Sequence, residues 1–481
     1  MSFRQPVIVT ALDPRIRART ASLPMNLLLP IVPYAGALAL LASPALAAPG
    51  DLDPGFGLDG RALVGFGPGV AQARAIARFP DGRLVLAGSS GGAVFDDDCA
   101  ITVLTAEGAP DPSFGIDGRL EIDLDAGRVN TCTSVAVQPD GRIVLAGSRD
   151  TGTPAGTRDF VVMRLHPDGA FDESFSDNGY AFVNFALPGP VVRSIDEANA
   201  LALQPDGRIV IAGTAERAPG DYDFALVRFL PDGTLDDSFG EDGRVTFGVD
   251  DGGPTVDSVS AVAICPEGRI ALAGTSESED RRMFVARLAA DGQLDPGFNL
   301  TGHRLVQFGF APESIGTSLA LRSDGSMLVG GYVADGVTAD FAVAALAPDG
   351  SYDADFGVDG RVTLDVGEED GAFAMTTDAS GRVLLAGVRI EPGHTDIAAV
   401  RLLADGSADA AFGDAGRVVI PFDLDESDDT DLARAILVQP DGNVVLAGAA
   451  VTSSAPAGAA FAVVRLQGDE VSLFADGFDA D

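Results

Sequence analysis

Four aspartates, Asp196, Asp257, Asp370 and Asp431, each stand eleven residues before a recurring turn glycine, and Asn130, Ser314 and Ala71 fill the same slot in the other copies. Carboxylates repeated at one position and gathered at the mouth of a channel focus negative potential and can hold a cation or a cationic ligand. The plainer reading makes them solvated, turn-forming residues. The densest acidic stretch, Asp423-Leu-Asp-Glu-Ser-Asp-Asp-Thr-Asp431, offers Asp423, Asp425, Asp428 and Asp431 as hard oxygen ligands of the kind Ca2+ takes. It is not an EF-hand, because Asp428 stands where that loop needs glycine and Arg434 where it needs glutamate. A solvated acidic loop is the alternative there, and calcium is the one cofactor these residues suggest.

Other chemistry finds little footing. The three histidines, His166, His303 and His394, occupy non-equivalent places in the repeat, so they imply no shared metal set. No Ser/His/Asp or Cys/His arrangement stands out, and the absence of Trp weakens any reading that needs sugar rings stacked on indoles. Cys99 and Cys132 fall at the same end of neighbouring units and admit a disulfide, whereas Cys265, aligned with Gln138, Gln204 and Gln439, is expected to be a packed thiol.

The elements that must position these residues follow from self-similarity. A Pro-Asp-Gly-Arg turn or its variant recurs seven times, at Gly82, Gly141, Gly207, Gly268, Gly325, Gly381 and Gly442, at a mean spacing of about 60 residues. Each copy holds four short apolar runs, as in Ser134–Gln138, Arg142–Ala146, Phe160–Leu165 and Tyr180–Phe185. Pro presets φ and Gly accepts φ > 0, so the first two runs make a hairpin. The last two are joined by a segment such as Leu235-Asp-Asp-Ser-Phe-Gly-Glu-Asp-Gly-Arg244, whose phenylalanine recurs as Phe56, Phe114, Phe175, Phe239, Phe298, Phe356 and Phe412 and is expected to pin the loop.

Four antiparallel strands repeated seven times predict an all-β, seven-bladed β-propeller of four-stranded antiparallel blades. The first run, Arg61–Phe66, has the phase of a fourth strand and the last, Phe461–Leu466, that of a third. The ring is therefore expected to be closed by the N-terminal strand pairing with the C-terminal blade. Recurring Asp98, Asp159, Asp223, Asp340 and Asp396 and recurring Arg164, Arg228, Arg287 and Arg401 share the third run and are expected to pair within or between blades.

The paired motifs Gln138-Pro-Asp-Gly-Arg-Ile-Val-Leu-Ala-Gly147 and Leu235–Arg244, repeated in register over roughly residues 51–466, resemble the delta-60 repeat of bacterial exported proteins. The resemblance implies a β-propeller-like exported repeat protein and implies no established activity.

Net charge is −39, and all 32 basic side chains are arginine. Such a chain repels nucleic acid and anionic lipid. The N-terminal arginines, the apolar stretch from Met25 to Ala42 and the Ala45-Leu46-Ala47 site predict a secretory signal over 1–47, followed by the propeller over 48–466 and a tail over 467–481. No membrane span is expected. The tail's Asp-Gly-Phe-Asp ending is either a sorting or processing segment or a degenerate copy of the repeat's own turn. These features point to an exported, non-enzymatic binding or scaffold protein that presents rim loops to a protein or cationic ligand, with calcium assisting. The alternative is a propeller hydrolase or lyase using carboxylates at the channel mouth.

Overall fold

The computed structural model describes residues 48–469, apart from 68, 92–96, 125–129, 152–156, 186–193, 250–254, 278–279, 310, 423–429 and 453–457. The expected signal segment, residues 1–47, and the tail beyond 469 lie outside the described residues. Among those described, all regular structure is β except one three-residue turn of 3-10 helix, Pro266–Gly268. Among the described residues no helix is long and apolar enough to cross a membrane.

Strands follow one another as four-stranded antiparallel units. In the second unit Asn130–Val137 pairs with Ile143–Asp150, that strand with Arg158–Leu165, and the third with the short Tyr180–Val183. The two middle strands are buried on both faces and are written as nearly continuous apolar runs, such as Ile-Val-Leu-Ala and Phe-Val-Val-Met, while the first strand opens with alternating burial. The turn between the first two strands places Gly141 at a φ of 86°, a conformation that glycine adopts without strain. There the Asp140 carboxylate accepts the Arg142 backbone N–H at 3.0 Å.

The seven first strands are Val70–Arg78, Asn130–Val137, Asp196–Leu203, Val256–Ile264, Glu313–Leu321, Glu369–Thr377 and Asp431–Val438. Each packs on the first strand of the next unit, and Asp431–Val438 packs on Val70–Arg78. Arg61–Val64 lies antiparallel to the third strand of the last unit, Gly458–Leu466, with Leu63 opposite Ala462.

Apolar clusters fill the spaces between consecutive units. One joins Val85, Cys99 and Phe114 to Cys132 and Leu145, and another joins Leu86 and Ala100 of the first unit to Phe56, Val64, Val445 and Phe461, which belong to the last unit and the strand that completes it. Each sheet therefore buries both faces against its neighbours, and fully burying a side chain such as Phe239 contributes roughly 1.5–3 kcal/mol. The first three tail residues are held as well. Gln467 N–H donates to the Asp51 carbonyl at 2.7 Å, and Asp469 receives Arg401 at 3.1 Å.

Candidate functional site

The recurring third-strand arginines do not take the expected partners. Asp159 and Arg164 are five apart on one strand, and successive side chains of a strand alternate between faces, so the pair points to opposite sides. Arg164 instead donates from Nε to Asp172 at 2.7 Å, Arg228 to Asp236 at 2.8 Å, Arg287 to Asp295 at 2.7 Å and Arg401 to Asp409 at 2.8 Å. Arg465 closes the same pair with Asp53 across 412 residues, at 2.6 Å. The acceptor belongs to the Asp-x-x-Phe loop and stands eight residues after its arginine in four of the five cases. That constant spacing is the signal that sequence reasoning overlooked.

Each pair is a station linking two units. The Arg228 guanidinium lies 4.5 Å from the Phe239 ring and donates to the Ala290 carbonyl of the following unit at 2.5 Å, while Asp236 also accepts from Arg208 and from the Ser238 hydroxyl. Burial alone would raise the Asp236 carboxyl. The Ser238 hydroxyl and backbone N–H, together with the Arg228 charge, outweigh it and hold the group at about 2. Asp172 is held at about 2 in the same way, against burial, by Ser174 and Arg164. The recurrent phenylalanine thus pins the loop and also carries a cation on its face.

The aspartates of the proposed cation ring are not solvated turn residues: Asp196, Asp257, Asp370 and Asp431 are all buried, within the opening residues of separate first strands. Asp196 accepts the Phe185 N–H at 2.8 Å, Asp257 the Val249 N–H at 3.3 Å and Asp431 the Phe422 N–H at 2.8 Å. Asp370 accepts three, from Phe341 at 2.9 Å, Val366 at 2.6 Å and Gly367 at 3.0 Å. Each donor just named lies in the unit before its aspartate, so the slot fastens one unit to the next. In the fifth copy Ser314 serves it with a hydroxyl, accepting the Met283 N–H and donating to the Val306 carbonyl.

Burial pushes Asp196 up to about 6, against hydrogen bonds from Phe185 and Ser194 and with help from the Asp159 charge. Asp370 is raised to about 6 by burial, with Asp340 adding repulsion. A carboxyl whose folded pKa lies above its unfolded value contributes stability that is complete below the unfolded pKa, near 3.8, and is lost as pH rises through 6. Moving from pH 7.5 to pH 5 should therefore stabilise the protein by about 1.4 kcal/mol for each of the two groups. The depressed Asp172 and Asp236 work in the opposite window, and their contribution fades only as pH falls from 3.8 towards 2. Thermal unfolding across pH 4–8 should show a midpoint that rises on mild acidification, and Asp196→Asn with Asp370→Asn should flatten that rise.

Of the calcium loop, Asp423, Asp425 and Asp428 lie outside the described residues, and Asp431 is engaged as above. A different carboxylate group does come together: oxygens of Asp340, Asp365 and Asp370 lie within 4.8 Å of one another. Burial raises the Asp340 carboxyl, with the charges of Asp365 and Asp335 adding to it. A hard divalent cation is the species that offsets such repulsion. Asp340 also lines a cleft of about 1070 Å3 on the fifth unit, flanked by Phe308 and Gly309 before it and Asp405 of the sixth, where Asp335, Asp355, Asp359 and Asp405 share the lining with one arginine, Arg361. Cys99 and Cys132 are joined by a disulfide with a Cα separation of 5.0 Å, linking the third strand of the first unit to the first strand of the second. Cys265 is a buried free thiol, raised by burial.

Comparison with known proteins bears on the repeat. No curated protein matches the chain. Among solved structures, a protein of unknown function from Dyadobacter fermentans is 14% identical, with a TM-score of 0.42 over 86% of this chain and 100% of that one. Sqt1 from Chaetomium thermophilum, solved bound to the N-terminus of the ribosomal protein L10, is 14% identical with a TM-score of 0.40, over 82% of this chain and 96% of its own. The polysaccharide lyase Uly1 is 11% identical with a TM-score of 0.46, over 84% and 91%. The family described as "Domain of unknown function (DUF5122) beta-propeller" matches residues 138–175, 204–239, 265–298, 322–356 and 379–412, each running from the hairpin turn to the loop phenylalanine, so the chain is an all-β protein built of β-propeller repeats.

Proposed function

We propose that the protein is an exported, non-enzymatic binding scaffold, a seven-bladed propeller closed by its own N-terminal strand, which engages a cationic partner with calcium assisting. Closure is supported by the pairing of Arg61–Val64 with Gly458–Leu466 and by the loop-to-loop hydrogen bonds that run from unit to unit and end with Gly413 N–H on the Pro49 carbonyl. Export is supported by the N-terminal arginines, apolar stretch and Ala45-Leu46-Ala47 site, and a Cys99–Cys132 disulfide suits an oxidising compartment.

The observation that carries the binding reading is where charge is spent. Recurring arginines are committed to stations between units, whereas the cleft on the fifth unit gathers five aspartates with Arg361. A surface of that sign steers and holds cations. Fluorescence anisotropy of a labelled hexa-arginine peptide at 0.15 M salt tests it. Saturable binding that weakens at least tenfold in Asp335→Asn/Asp359→Asn is the expected result, and binding that never saturates, or that the variant leaves unchanged, overturns the reading. Thermal unfolding in millimolar calcium, with magnesium and chelator as controls, decides the calcium part. A calcium-specific rise in midpoint, lost in Asp340→Asn/Asp365→Asn, is expected through mass action.

A further inference from the structure

All seven first strands carry a one-residue bulge at the same point, and the extra residues are Arg74, Thr133, Asn199, Ser260, Thr317, Phe373 and Arg434. Side chains at this position run along the inner circuit towards the next unit. Thr133 Oγ1 donates to the Ala198 carbonyl at 2.7 Å, Asn199 Nδ2 to the Val259 carbonyl at 2.9 Å and Thr317 Oγ1 to the Ala372 carbonyl at 2.9 Å. The first and last units, whose first strands pack together, place arginines here instead.

Among the described residues neither of these two cations is held in an ion pair. The Arg434 Nε is buried and makes no hydrogen bond. Its guanidinium lies 4.5 Å from the centre of the Phe373 ring, against which it packs. Asp97 and Glu197 act on Arg74 through charge alone, and Glu197 is already bonded to Arg158. Arg74 is reached by solvent, yet the protein around it removes enough water to lower its guanidinium below the ordinary value. Burial lowers Arg434 too, and the charge of Arg74 lowers it further, so the pair is within electrostatic reach and repels.

The third-strand arginines sit on aspartates, whereas Arg74, exposed, and Arg434, partly buried, make no ion pair with any described carboxylate. A planar fork held in one orientation presents parallel N–H donors that match the oxygens of a carboxylate or phosphate. We propose that Arg74 and Arg434 form an oxyanion-binding site on the inner circuit between the first and last units. The neighbouring Thr133, Asn199 and Thr317 are engaged with main-chain carbonyls, so the two guanidinia supply the recognition. The site rests on the closed-ring reading, because the inner strands surround a passage only when the last unit meets the first.

Calorimetric titration of the full chain with inorganic phosphate, and separately with citrate, tests the site and distinguishes the two sources of oxyanion. One saturable site is expected for at least one anion, weakened at least tenfold by Arg74→Gln and by Arg434→Gln and unchanged by Arg119→Gln. No saturable heat from either anion up to about 10 mM overturns the proposal, as does binding that survives the double variant. Ring closure is checked independently by Leu63→Cys/Ala462→Cys. The Arg465 N–H bond to the Gly60 carbonyl makes the 63/462 pair a non-hydrogen-bonded one, with Cα atoms about 4.5 Å apart, within disulfide reach. A crosslink found by peptide mapping, with no anion bound, refutes the site alone; a missing crosslink refutes the ring.

Discussion

Replacing Arg228 with methionine is expected to destabilise the protein by about 2–3 kcal/mol, the effect of removing one of two arginines from a buried carboxylate. Asp236 would keep its ionised carboxyl in a site that is 4% exposed, with Arg208 and Ser238 left to hold it. The Ala290 carbonyl would lose its donor and the Phe239 face its cation. Because the station joins the third unit to the fourth, the loss falls on the contact between sheets as well as within one. Denaturant unfolding read by far-ultraviolet circular dichroism measures the change. The companion Arg228→Met/Asp236→Leu should recover a large part of the loss, since it removes the carboxylate that Arg228 held, and a double variant as unstable as the single would assign the damage to lost packing instead. Asp236→Asn should also cost stability, with the pH dependence below 3.8 diminished, because the depressed carboxyl is then gone.

The four-strand unit is legible because it is written in local chemistry: a Pro-Asp-Gly turn, two apolar runs long enough to be strands, and a loop anchored by phenylalanine. Residue type and spacing also carry the Arg–Asp stations, since 164 and 172, 228 and 236, 287 and 295, and 401 and 409 keep a separation of eight. Pairing of the recurring third-run aspartates with these arginines is not met within a strand, where an odd separation puts Asp159 and Arg164 on opposite faces. The environment of Asp196 or Asp370 is not legible, because an aspartate before a strand reads the same whether its carboxylate meets water or three backbone N–H groups. The acidic triad takes Asp340 and Asp370 from strands of two units and Asp365 from just beyond the end of a third strand, and exists only once the sheets pack. Nor does the sequence mark the bulge. It arises from register, and only with the register known do Arg74 and Arg434 stand out as the two positions where a ring of small, polar and aromatic residues turns cationic.

Gly213→Ala is expected to cost about 3 kcal/mol or more, although this glycine has an ordinary backbone conformation and sits in the middle of a strand where alanine is usually tolerated. A Cβ at that point would lie 1.9 Å from the Glu197 carbonyl oxygen and 3.0 Å from the Ala198 Cα. Those are main-chain atoms of the bulged first strand, which cannot turn aside as a side chain does. The bulge tips the carbonyl onto the second strand, and only a residue without Cβ lets the two strands pair there. The same closure recurs at Gly88, Gly147, Gly274, Gly331, Gly387 and Gly448, with the nearest carbonyl oxygen 1.8–2.0 Å from the added atom. Leu-Ala-Gly in the repeat is thus the counterpart of the bulge on the facing strand. Gly65→Ala is the control, as a Cβ there meets nothing within 4 Å and should change the midpoint little. If Gly213→Ala unfolds with the midpoint of the unchanged protein, the bulge yields readily and the inner strands are not held in the register on which the Arg74 and Arg434 placement depends. A large loss for Gly213→Ala beside a silent Gly65→Ala locates the rigidity of the molecule in its innermost strand pairs, where backbone meets backbone.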